Sequence, residues 1–212
     1  MAETPEFVAE QFDDPPQQLE AATLGMWAFL ATEVLFFGGL FLSYIVYRHA
    51  YPNAFAQASR HTDLFFGTLN TALLLTSSLT MSLAIHAAQE ARNRALVGLL
   101  LLTMIIGCAF LAVKGLEYRK DIHDQLVPGA HFDKTLPIQS QIFWYLYWLM
   151  TGVHSLHLAV AIGVLAVVTW SASRDKFSAG YHNPVIISGL YWHFVDMIWV
   201  WLYSLLYLVN RH

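Results

Sequence analysis

Charge and cysteine are what this chain has least of: 12% of its 212 residues are Asp, Glu, Lys or Arg, and there is one cysteine. So little charge beside 57% hydrophobic residues and a mean hydropathy of +0.47 excludes a soluble domain with a polar surface. The sequence reads as an integral membrane protein. Its single Cys108 sits inside an apolar run, which excludes an intramolecular disulfide and a cysteine metal cluster. The 11 Lys and Arg are scattered singly and form no basic patch, so nucleic acid is not an expected partner. The first 20 residues lack Lys and Arg altogether but carry Glu3, Glu6, Glu10, Asp13, Asp14 and Glu20 among Pro5, Pro15 and Pro16. They do not read as a cleavable signal peptide, which needs a positive start. Residues 1–20 are expected to form an exposed acidic arm, and the net charge of −4 comes largely from it.

What the chain has in abundance is long apolar stretches, at about 21–47, 64–88, 95–115, 142–170 and 185–209. A membrane-crossing helix needs about 20 such residues. The fold class is therefore all-α, with residues 21–212 forming one integral membrane bundle of five transmembrane helices and no internal repeat. Residues 48–62 are expected to form a polar connection, and 118–141, with Pro128, Gly129 and Pro137, the longest loop. In the second run Gly67, Thr71, Ser78 and Ser82 share one helix stripe, a packing surface of the kind that lets membrane helices approach closely. The cluster Phe143, Trp144, Tyr145, Tyr147 and Trp148 opens the fourth run, and its earlier members suit an interfacial belt.

Few polar groups interrupt these runs, and each is a candidate for function. Glu33 is the sole charge in residues 21–47, near mid-membrane, where an ionised carboxylate costs roughly 3 kcal/mol on insertion scales. It is expected to be a buried carboxyl that is protonated or has a His, Ser or Thr partner, and it is the candidate proton-active group. Glu33, His154 and Asp196 each lie 12 or 13 residues from a helix start, which puts them in one central layer. His154 with His157, His193 with Asp196, and Lys114 with Glu117 are spaced i,i+3 on shared helix faces. Asn70 adds a buried amide.

Three readings of the histidines and acids stand side by side. As metal ligands they would offer imidazole and carboxylate, but the Glu-x-x-His pairs of a helical di-metal site are absent. As axial haem ligands, His154 or His157 would pair with His193. In the third, these groups hydrogen-bond one another and hold the bundle together. Lys114 and Glu117 read as an interfacial ion pair, with the lysine near a helix end reaching to water.

The order of the motifs adds a resemblance. Ala31-Thr32-Glu33-Val34-Leu35-Phe36-Phe37, Leu69-Asn70-Thr71, Gly115-Leu116-Glu117-Tyr118, Thr151-Gly152-Val153-His154-Ser155-Leu156-His157 and Tyr191-Trp192-His193-Phe194-Val195-Asp196-Met197-Ile198-Trp199 fall on successive helices. In that order they resemble subunit III of the haem-copper terminal oxidases, over residues 21–209. The resemblance implies a non-catalytic subunit with no metal or cofactor of its own, packed against the subunit I that holds haem and copper. Subunit II, other oxidase subunits, membrane phospholipid and a respiratory supercomplex are the further implied partners. The implied roles are support of proton uptake, of oxygen access and of subunit I stability. Glu33 matches the family's carbodiimide-reactive carboxyl, whereas Asn70, Glu117, His154, His157, His193 and Asp196 match its internal polar framework and lipid cleft. The chain looks like the five-helix bacterial form, whose cleft is completed by another chain. Lys114 stands where the mitochondrial form has a neutral residue.

Two alternatives stay beside this reading: the same-family accessory subunit of nitric-oxide reductase, and a haem-b-binding membrane cytochrome. A proton-coupled carrier built on Glu33 is disfavoured, because five helices without a repeat do not give paired halves. Orientation is divided. One side carries Arg92, Arg94, Arg174 and Lys176, and the other Arg48, Arg60, Arg119, Lys120, Lys134, Arg211 and Lys114. That count leans toward an outside N-terminus. Family topology implies the reverse, with a cytoplasmic N-terminus and a periplasmic C-terminus in a bacterial inner membrane. The electron donor, cytochrome c or quinol, is a property of other subunits.

Overall fold

Hydrocarbon offers backbone amides no water to bond, so apolar runs of this length satisfy their peptide groups internally as helices. The structure, a computed structural model, describes residues 11–12, 15–130, 132–174, 177 and 181–209. Glu3, Pro5, Glu6, Glu10, Asp13, Asp14, Asp175, Lys176 and Arg211 lie outside the described residues. In chain order the helices are α1 (Pro15–Ala50), α2 (Pro52–Arg60), α3 (Leu64–Gln89), α4 (Asn93–His123), α5 (Ser140–Ala172) and α6 (Asn183–Tyr203), with α6 running into a wider π turn at Ser204–Leu208. Five of these, all but α2, are long and apolar enough to cross a membrane. The protein is a multi-pass membrane protein.

Helices α3, α4, α5 and α6 form the bundle: α3 and α5 each pack against both α4 and α6, and α1 leans on α5 and α6 from outside. Only 17% of the apolar window of α1 is buried, against 61% for α6. Accordingly α6 carries two of the three fully buried tryptophans among the described residues, Trp192 and Trp199, with Tyr207 in the π turn. Membrane helices gain little from apolar burial as such and associate through close packing and hydrogen bonds. The Gly67, Thr71, Ser78, Ser82 stripe supplies both. Gly67 faces the Tyr203 and Tyr207 rings, Trp199 Nε1 donates to Thr71 Oγ1 (3.1 Å), and Ser78 Oγ meets His193 Nδ1 (2.8 Å). A neighbouring stripe adds Trp192 Nε1 to Ser77 Oγ (3.1 Å) and Thr80 to Thr103 on α4 (2.7 Å).

Gly107 on α4 makes room for an indole, since a Cβ there would lie 2.8 Å from Cη2 of the fully buried Trp192. Gly107→Val is therefore expected to destabilise the bundle by about 1–3 kcal/mol through overpacking. Loss of helical signal at a lower denaturing-detergent fraction would show it, and an unchanged midpoint would contradict the packing described.

Four local features differ from the sequence expectation. Helix α1 begins at Pro15, within the stretch expected as an arm, because proline suits a first helical turn. The connection at 48–62 contains α2, started by Pro52 and holding Ala54, Phe55 and Ala58 against the bundle at i, i+1, i+4 spacing. Helix α4 runs on to His123, so the longest loop starts later than expected. Phe143 and Trp144 are fully buried and belong to the core, leaving Tyr145 as an exposed member of the aromatic cluster.

Outside the hydrocarbon, Asp63 does two jobs. It caps α3 by accepting the Phe65 N–H (3.0 Å) and pairs with Lys120 at the end of α4. Burial pushes its carboxyl up, but Lys120 and the Phe65 and Phe66 amides outweigh this and hold it below the usual aspartate value. Its stabilising contribution is then complete above about pH 3.9, the ordinary value, and fades as pH falls through the lower folded value. Asp63→Ala is expected to cost about 1 kcal/mol, chiefly through the cap. The loss should disappear in a comparison made at acid pH, and a loss independent of pH would refute this assignment.

Candidate functional site

The extension of α4 changes the setting of Lys114 and Glu117. They stand well inside the helix, 1% and 0% exposed, so the expectation of an interfacial pair with a water-seeking lysine is corrected. Residues 114, 117, 118 and 121 recur at helical spacing on one face, which α4 turns toward α5 and the end of α6. Lys114 Nζ donates to Glu117 Oε2 (3.0 Å), Tyr147 Oη (3.0 Å) and Tyr207 Oη (2.7 Å). Glu117 Oε1 accepts from Tyr207 (2.6 Å) and lies 2.9 Å from Tyr147 Oη, which also lies 3.0 Å from Asp121 Oδ2. Four aromatic rings, of Tyr118, Tyr147, Trp199 and Tyr207, surround the ammonium with centroids 4.6–5.5 Å away. The cation thus has a counter-ion, three hydrogen bonds and several π faces, which is what makes its burial tenable.

Position Tyr207 owes its place here to the π turn, whose Leu205 carbonyl accepts from Tyr44 Oη on α1 (2.7 Å). Irregular turns of this kind are frequent at functional sites. Tyr118 closes the cluster on the α5 side through Thr151 Oγ1 (2.7 Å).

A second polar centre joins α1 to α5. Glu33 Oε2 lies 3.1 Å from His157 Nε2, and His157 Nδ1 lies 2.9 Å from the Val153 carbonyl. That carbonyl can only accept, so Nδ1 carries a proton. Nε2 then either accepts from a protonated Glu33 or is the second N–H of an imidazolium facing a carboxylate. Either way the two groups share one proton and are neutral together. Phe36 and Phe37 flank the imidazole, and both side chains of the pair keep 18% exposure.

The other expected residues do not converge on these two centres. His154 is packed between Phe110 (ring centroids 5.6 Å) and Trp199 (5.1 Å), with neither ring nitrogen hydrogen-bonded to protein. His193 is held by Ser78 and, more loosely, Ser82 (3.4 Å), one helical turn from Asp196. Asp196 and Asn70 are buried and have no protein hydrogen bond, although Ser78 lies near enough to Asp196 to influence it. The i,i+3 histidines therefore serve different neighbours, and among the described residues no three His, Cys, Asp or Glu side chains gather as metal ligands would. Beside His193, an apolar groove of about 640 Å³ runs between α1 and α6, lined by Trp27, Leu30, Val34, Phe194 and Met197 among others.

Sequence reasoning missed Asp121, Tyr147 and Tyr207 as site residues. The 114, 117, 121 spacing was a legible signal for Asp121, whereas the tyrosines are brought in from helices far along the chain.

Comparison with known proteins matches residues 16–210 to the family model described as cytochrome c oxidase subunit III. The chain is 31% identical over 189 residues to cytochrome c oxidase subunit 3 of Thermostichus vulcanus, covering 89% of this chain and 87% of the relative. It is 26% identical over 190 residues to quinol oxidase subunit 3 of Bacillus subtilis (strain 168), covering 88% and 86%. With cytochrome c oxidase subunit 3 of Gadus morhua it shares 29% identity over 199 residues, covering 91% of this chain but 71% of that one.

Proposed function

The chain belongs to the cytochrome c oxidase subunit III family, whose members are parts of a multi-subunit oxidase, and from that premise we propose that it is the non-catalytic accessory subunit of a bacterial proton-pumping haem-copper oxidase. In this reading it packs against subunit I, keeps that subunit stable during turnover, binds phospholipid and supports proton uptake and oxygen access in aerobic respiration. The observation that carries it is the dispersal of the intramembrane histidines. His154 lies among aromatic rings, His157 is committed to Glu33 and His193 to Ser78, so these side chains act as a framework. Haem and copper then belong to partner subunits. The apolar groove beside α1 suits acyl chains, and the exposed face of α1, with Leu24, Trp27 and Leu35, suits lipid or a neighbouring subunit. The proposed location is the inner membrane, N-terminus cytoplasmic and C-terminus periplasmic.

Glu33 acts on catalysis indirectly. Glu33→Gln is expected to leave assembly and haem spectra intact with at most a modest loss of oxygen consumption, because glutamine can still bond His157. Loss of haem from the complex in that variant would overturn the assignment. Asp196→Ala, by contrast, is expected to weaken association with the rest of the oxidase, read as loss of this chain from the tagged complex. Unimpaired retention would remove Asp196 from the framework.

A further inference from the structure

The hydrogen atoms available to the α4 cluster do not cover its contacts when Glu117 and Asp121 are both ionised. Lys114 uses its three N–H groups on Glu117, Tyr147 and Tyr207, and Tyr207 gives its hydroxyl proton to Glu117 at 2.6 Å. Tyr147 then has one proton for two contacts, 2.9 Å to Glu117 Oε1 and 3.0 Å to Asp121 Oδ2. A hydroxyl donates once. The unserved contact would set oxygen lone pairs against each other beneath side chains 0% and 3% exposed, and would leave a net negative charge buried there. One added proton removes both faults.

We propose that Lys114, Glu117, Asp121, Tyr147 and Tyr207 form a neutral proton-holding site, in which one proton beyond the Lys114 ammonium is shared between Asp121 and Glu117 through the Tyr147 hydroxyl. In one arrangement the Asp121 carboxylic acid donates to Tyr147 and Tyr147 donates to Glu117. In the other, Glu117 is the acid and both bonds reverse. The exchange breaks the Asp121 O–H and Tyr147 O–H bonds as the Tyr147 O–H and Glu117 O–H bonds form, so no proton is gained or lost. Asp121 sits one turn closer to the α4 terminus, where Asp124 is partly exposed, which makes it the member nearer water. Among the described residues, the titratable and charged groups facing the site are Tyr118, Lys120 and Asp124 from α4, and His154 from α5, which feels Lys114. From the end of α6 the titratable members among the described residues are Tyr207 itself and Tyr203, whose ring packs on it at 5.6 Å, and from α1 Tyr44 bonds the Leu205 carbonyl. Lys120, the further cation among them, is exposed and committed to Asp63, so none of these supplies a second buried cation to offset a second carboxylate. This site is separate from the Glu33 pair and does not depend on which oxidase the chain serves.

Infrared spectroscopy tests it on the native membrane assembly, purified through a tag on this chain at neutral pH. Subtracting the Asp121→Asn spectrum from wild type should isolate one carboxylic-acid carbonyl band that moves on exchange into heavy water. No such band would overturn the proposal. Lys114→Met removes the cation, so neutrality requires one additional acid band; an unchanged acid region would overturn it equally. Tyr147→Phe should keep one acid but shift its carbonyl to higher frequency as the bridging hydrogen bond goes, and an unshifted band would exclude sharing through Tyr147. The asparagine variant is nearly isosteric, and the tag reports assembly independently of the spectrum.

Discussion

Stripping Lys114 of both carboxylates, in the double variant Glu117→Gln, Asp121→Asn, is expected to destabilise the folded chain by about 3–5 kcal/mol. The lysine is 1% exposed and has aromatic rings on several sides, so it cannot reach water when its counter-ion is lost. It must then lose its proton or remain an uncompensated charge in a medium that solvates it poorly. Glutamine and asparagine preserve volume and hydrogen bonding, which isolates charge from packing. Asp121→Asn alone should cost far less, since the direct Lys114–Glu117 contact at 3.0 Å survives. Midpoints of helix loss in mixed detergent measure both. A double variant no weaker than the single one would mean that this cluster holds little of the bundle together.

Trp199→Ala is the other large effect, again about 3–5 kcal/mol for a buried aromatic truncated to alanine. Its indole is fully buried, meets Phe110 edge-on at 4.7 Å, lies 5.1 Å from His154 and donates to Thr71 on α3. One side chain on α6 thereby touches α3, α4 and α5. Truncation should also loosen the site beneath, because the Trp199 ring is one wall around Lys114. Trp199→Phe should recover much of the loss: it keeps a ring against Phe110, and Thr71 retains its own bond to the Gly67 carbonyl (2.8 Å). Comparison of the two midpoints separates ring packing from the single hydrogen bond. Equal losses would place the effect in the N–H.

The five spans were legible because their signal is length and lack of charge, which the bilayer imposes locally. So was the facing surface of α3: small residues spaced four and seven apart share one helix stripe and mark a close contact, and Gly67, Thr71 and Ser78 meet Tyr207, Trp199 and His193. The burial of Lys114 was not legible. A lysine near the end of an apolar run ordinarily extends to water, and what keeps it inside is a set of partners, Tyr147 and Tyr207, placed 33 and 93 residues away. Helix α2 was hidden for a different reason, its nine residues being too short and too polar to stand out from a loop. Glu33 was identified as an acid needing a partner, and its contact with His157 spans 124 residues. Spacing within one helix named the candidates; only packing between helices could pair them.

If this chain is an oxidase subunit carrying no redox centre itself, optical spectroscopy of two preparations will show it. A tag on this chain should bring down an assembly with haem bands and bound copper. The same chain stripped from that assembly in mild detergent should show no haem band while keeping its helical signal. A stoichiometric haem that stays with the isolated chain, and is lost when His154, His157 and His193 are replaced, would make the chain a cytochrome and contradict the assignment of haem to partner subunits.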